Sequence, residues 1–111
     1  MGRQGIGEFE ELVLLAIAIL NDEAYGVAIK QEITDRTGRK VSIGALQTAF
    51  RRMEEKGFLT SQFGESTAIR GGKRKKFYAI TALGAKVLKE ARDLRMNMWD
   101  AIPRIVLKEM K

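Results

Sequence analysis

Between Glu8 and about Leu20, Phe9, Leu12, Val13, Ala16, Ile17 and Leu20 recur at helical spacing, while Leu14, Leu15 and Ile19 fill most of the remaining sides. A helix apolar nearly all round is buried on more than one face. In so small a chain that implies an oligomer interface as well as a core. "NDEAYG" is expected to open a second helix, capped by Asn21 or Asp22, with Tyr25, Ala28, Ile29 and Ile33 inward and Gly38 as its stop. Ser42 caps a third helix that Gly57 ends. Ile43, Leu46, Phe50 and Met53 make its inward stripe, and Ala45, Gln47, Thr48, Arg51 and Arg52 its outer face. The period then shortens. "FLTSQF" and "KFYAIT" read as strands joined by the turn-rich "GESTAIRGGKRK", hence a β-hairpin. Thr81 caps a last helix striped by Leu83, Val87, Ala91 (or Glu90), Leu94 and Met98, which Pro103 ends or kinks near Ile102. "RIVLKEMK" is too short to assign.

The predicted fold class is therefore mainly α with a small β-hairpin: helix, helix, helix, hairpin, then a long C-terminal helix. That is the plan of a winged helix-turn-helix. We divide it into a winged unit over residues 8–81 and a C-terminal dimerisation helix and tail over 82–111. The 111 residues suit one small core. The longest apolar run, residues 12–20, is far short of the roughly 20 residues that cross a bilayer. It follows the acidic "EFEE" rather than a basic leader, so neither a membrane partner nor a signal peptide is expected. The chain has no Cys, which suits a cytoplasmic setting.

Charge adds a direction to this plan. The net charge is +6, but residues 1–57 carry −1, residues 58–81 carry +4 and residues 82–111 carry +3. An excess concentrated in the middle and later chain is the footprint expected of a polyanion-binding protein. In "RGGKRKK", Arg70, Lys73, Arg74, Lys75 and Lys76 crowd the hairpin. They cannot all lie on one side of a strand, so some are placed on its tip, where they can follow a phosphate backbone. The third helix supplies the complementary set. Its first half is sized for a major groove. The contacting stretch begins at the cap Ser42, and Gly44 and Ala45 allow close approach of backbone to phosphate. Gln47 and Thr48 can hydrogen-bond base edges, and Arg51 and Arg52 can reach guanine or phosphate.

Other chemistries find little support. The chain has neither His nor Cys, the commonest general base and the thiol nucleophile, and "RGGKRKK" lacks the P-loop spacing. No enzyme activity, cofactor or metal site is expected. The competing reading is a winged-helix module that binds protein, whose hairpin would be apolar or acidic rather than strongly basic.

In order and spacing, "AYGVAIKQEI", "VSIGALQTAFRRMEEKGFL" and "GGKRKKFYAIT" followed by "ALGAKVL" resemble the PadR family of winged-helix transcriptional regulators over about residues 8–100. The resemblance implies a homodimeric repressor whose first and fourth helices build the interface. It also implies a double-stranded, pseudo-palindromic operator and release by a small-molecule effector. Two departures stand out. Gln47 occupies a position where many members carry Tyr, and Arg95 one where drug-sensing members carry Trp, with Trp99 one turn further on. Leu12, Leu15, Ile19, Leu94, Arg95, Met98, Trp99 and Ile102 are therefore the candidate effector or dimer surface. The dimer is preferred around Trp99, because aromatic and Met enrichment is what interfaces show. Arg95 tilts any effector toward an anion.

Overall fold

In the computed structural model, which describes residues 5–64 and 74–108, the elements follow in the expected order. They are α1 (Glu8–Leu20), α2 (Gly26–Thr37), α3 (Ile43–Glu55), β1 (Leu59–Phe63), β2 (Lys76–Ile80), α4 (Ala82–Asp100) and a short α5 (Arg104–Lys108). One core joins them. Val13, Leu14 and Ile17 of α1 meet Ile29 and Ile33 of α2, then Leu46, Phe50 and Met53 of α3, with Phe58, Tyr78 and Val87 closing the sides.

The second helix starts later than the sequence suggests. Asn21–Glu23 form a single 3-10 turn, and Asn21 takes a left-handed φ of 54° where the chain leaves α1. Ala24 and Tyr25 are then recruited by the sheet. The Ala24 carbonyl accepts from the Tyr78 N–H at 2.8 Å, and Tyr25 bridges Phe77 antiparallel. Strand β2 thus has β1 on one edge and this two-residue segment on the other. Backbone pairing outcompetes an earlier helix start here, because Ala24 is fully buried and its peptide groups need partners. Gly38 does end α2, at φ 73°.

The third helix also departs from its predicted stripe. Leu46, Phe50 and Met53 are buried as expected and Ala49 joins them, but Ile43 is 46% exposed. At about 100° per residue, Ile43 lies roughly 60° from Leu46 toward Gln47, whereas Ala49 lies roughly 60° away on the other side. The buried arc is centred on the Ala49 side, and Ile43 falls outside it.

The junction between hairpin and α4 is tightly made. The Thr81 hydroxyl donates to the Gly57 carbonyl at 2.6 Å and accepts from the Gly84 N–H at 2.9 Å, while the Thr81 N–H donates to the Phe58 carbonyl at 3.0 Å. Thr81 therefore caps α4 and clamps the end of α3 together. Gly57 needs its φ of 83° to turn directly into β1. Gly84 sits against the Phe58 carbonyl, and a Cβ there would press into that oxygen and into Ile80. Gly84→Ala is accordingly expected to lower stability by about 1–3 kcal/mol. The check is a shift of the urea midpoint at unchanged slope, and an unshifted midpoint would show that this contact is loose.

Beyond Ala91 the predicted α4 stripe is left exposed among the described residues. Val87 is buried, but Leu83, Leu94 and Met98 are exposed, as are Met96 and Trp99. The radius of gyration is 16.9 Å, against roughly 13 Å for a compact chain of this length. The excess reflects a molecule extended to 61 Å along its longest axis. Helix α4 stops at Asp100, two residues before the predicted limit at Ile102, and α5 starts directly after Pro103.

Candidate nucleic-acid interface

The outer face of α3 is set by its start. Ser42 is extended, and its Oγ accepts from the Ala45 N–H at 3.0 Å, fixing the first turn. Burial of Leu46, Ala49 and Phe50 then turns Gly44, Ala45, Gln47, Arg51 and Arg52 to solvent, and leaves Thr48 half-buried. All seven predicted α3 positions, Ser42 included, thus border one exposed strip.

Two contacts lock the hairpin to this helix. Phe50 stacks on Tyr78 with ring centroids 4.1 Å apart, and the Ser61 hydroxyl donates to Glu54 at 2.6 Å. Burial, with the nearby Glu54 carboxylate, pushes the Tyr78 phenol above its usual pKa, so it stays neutral in the core. The strands pair in register from Leu59–Ile80 to Phe63–Lys76, and one more hydrogen bond, Gly64 N–H to the Lys75 carbonyl at 2.7 Å, carries the ladder outward.

The hairpin stem then holds its cations on aromatic faces. Arg74 and Lys76 lie 5.3 and 5.7 Å from the centroid of Phe63, which is itself exposed. Lys75 lies 4.1 Å from the centroid of Tyr25, and Tyr25 meets Phe77 edge to face at 5.6 Å. Arg74 also donates from Nε to the Gly64 carbonyl at 2.9 Å. Each such contact is weak at an exposed site, ~0.5–1 kcal/mol, but together they limit where the charges point. The sequence reading missed Phe63 and Tyr25 in this role. Phe63 stands at the outer end of β1, and Tyr25 is the residue that bridges Phe77. Arg70 and Lys73 lie outside the described residues.

Among the described residues, Arg51, Arg52, Arg74, Lys75 and Lys76 have no carboxylate partner. Arg36, Arg39, Lys56, Lys89, Arg92 and Arg95 each have one. Lys30, Lys40, Lys86, Arg104 and Lys108 are also unpaired, so a missing partner does not by itself mark a site. What distinguishes the first five is their place beside Gln47 and Thr48 and on the adjoining hairpin.

The other candidate surface divides. Leu15 and Arg95 border an open groove of about 600 Å³ between α1 and α4, floored by Ala18, Ile80, Ala85 and Leu88. Leu12, Leu15 and Ile19 border a smaller apolar cleft against Ile33 of α2. Leu94 faces a third hollow near Ile6. Met98, Trp99 and Ile102 border none of these. Arg95 is not waiting for an anion: it donates to Glu11 at 2.6 Å, and that hydrogen bond raises its pKa further. The Glu11–Arg95 pair instead ties α4 to α1. Among the described residues no group of acidic side chains could hold a metal ion, and no helix is long and apolar enough to cross a membrane.

Comparison with known proteins agrees with this geometry. A crystallised PadR family regulator from Eggerthella lenta is 27% identical and superposes with a TM-score of 0.67, over 89% of this chain and 86% of that one. A PadR-like transcription factor from Bacteroides fragilis shares the fold at 21% identity and a TM-score of 0.68, over 93% and 89% of the two chains. An uncharacterised protein of Lysinibacillus sphaericus is 33% identical over 102 residues, which are 90% of this chain and 85% of the relative. The sequence profile of the transcriptional regulator PadR-like family matches residues 14–90. The chain belongs to the PadR-like family of transcriptional regulators, and its fold is the winged helix.

Proposed function

We propose that this protein is a homodimeric, sequence-specific regulator of transcription that binds double-stranded operator DNA and acts as a repressor. The observation that carries the reading is the exposed strip from Ser42 to Arg52, continued onto a hairpin stem whose cations rest on aromatic rings. Helix α3 enters the major groove, and Gln47, Thr48 and Arg51 face base edges. Arg52 and the hairpin cations meet phosphates, and the amides of the first turn around Gly44 and Ala45 hold another phosphate. Residues 8–81 form the reading unit and residues 82–111 the dimerisation segment. The two copies place their helices on half-sites about one DNA turn, roughly 34–36 Å, apart. The groove between α1 and α4 is where a small apolar effector has room to bind, with Glu11 and Arg95 already paired at its rim.

Selection from a random duplex library, followed by affinity measurements across salt, tests the reading. Log affinity is expected to fall with log salt by about 0.9 per phosphate contact. Arg51→Ala is expected to cost about 1–3 kcal/mol on the selected site and much less on unrelated duplex. A flat salt response would point instead to a winged-helix module that binds protein.

A further inference from the structure

Ile43 is the one large aliphatic side chain exposed on a face otherwise built from Gly44, Ala45 and polar groups. It follows the Ser42 cap directly and stands at i, with Gln47 at i+4 and Arg51 at i+8, so the three form one line along α3. None of the three is buried, and Ile43 is 46% exposed. Beside it, a Cβ on Gly44 would meet no atom within 4 Å. The first turn therefore offers an unobstructed approach with Ile43, its one large apolar side chain, at the front.

We infer that Ile43 reads the C5-methyl group of a thymine in each operator half-site. The inference rests on the DNA-binding reading above and adds a base identity to it. The thymine methyl is the apolar group that base edges present in the major groove, and it distinguishes thymine from every other base there. An Ile is suited to it. Its branched Cβ confines χ1 in a helix to essentially one rotamer, so its methyl groups are held in place before DNA arrives. Gln47 and Arg51, further along the same line, then meet the polar edges of the following base pairs. The line thus prescribes an order within the half-site: thymine at the end entered by the helix N-terminus, and hydrogen-bonding edges beyond it.

The test uses the full chain and the duplex recovered by selection, with deoxyuridine placed for thymidine one position at a time. Removing one methyl contact is expected to weaken wild-type binding about fourfold per half-site, from ~0.8 kcal/mol per buried carbon. At one thymine per half-site the wild type should lose this factor, while Ile43→Ala should bind the thymidine and deoxyuridine duplexes equally. Arg51→Ala should still distinguish them. Equal wild-type affinity for every deoxyuridine duplex would overturn the inference, as would an Ile43→Ala protein that keeps the full discrimination. A library from which no sequence is enriched would overturn the DNA-binding reading, and this inference with it.

Discussion

Replacing Arg74, Lys75 and Lys76 together by alanine is expected to remove most of the affinity for duplex DNA, whatever its sequence. These three lie on the hairpin stem, held over Phe63 and Tyr25. If each meets a phosphate, a dimer loses six contacts, and the slope of log affinity against log salt becomes less steep by roughly 5. At physiological ionic strength that corresponds to a loss on the order of 10⁴-fold. Lys75→Ala alone should weaken all sequences alike. Fluorescence anisotropy over a salt series checks both. A triple variant that loses affinity but keeps the wild-type slope would show that the hairpin acts on shape rather than on phosphates. One that binds selected and unrelated duplexes at the wild-type ratio is the expected counterpart of Arg51→Ala, which should change that ratio.

The second large effect is expected in α4. Leu94 and Met98, 55% and 65% exposed, lie one turn apart on the part of α4 that projects beyond the core. Introducing Asp at both positions should leave the fold intact, since neither side chain belongs to the core. The same charges placed in an apolar interface between two copies would be costly to bury. The double variant should therefore sediment as a monomer. The second half-site would then no longer bind as an intramolecular event, and operator affinity should fall by roughly 10²–10⁴-fold. The circular dichroism spectrum should not change. A double variant that stays dimeric and binds normally would remove α4 from the interface.

Much of the architecture was legible because it rests on local rules. Ser42 and Thr81 announced the starts of α3 and α4 through capping chemistry, and both hydroxyls do accept from first-turn amides. Gly38 and Gly57 marked the ends of α2 and α3, and both take positive φ. The exposed strip of α3 was legible for the same reason: Leu46, Phe50 and Met53 fix the inward side of α3 and thereby the outward one. Where a neighbour from elsewhere in the chain decides, the local rules fail. "NDEAYG" carries helix-start chemistry, yet Ala24 and Tyr25 pair with β2, some fifty residues away. Ile43 has the spacing of a core residue, yet the elements packed on α3 centre its buried arc toward Ala49. Arg95 looked like a free cation for an anionic effector, yet Glu11 on α1 already holds it.

The amino-acid sequence by itself determined the order of elements, the winged-helix plan, the helix stops and the basic hairpin. Each of these depends on periodicity, capping or charge within a few residues. The tertiary structure decided which cations stand on aromatic platforms, which apolar residues remain uncovered on α3 and α4, and which grooves open between α1 and its neighbours. Those properties depend on the relative placement of elements far apart in sequence, and burial and pairing are properties of that placement rather than of the residue types.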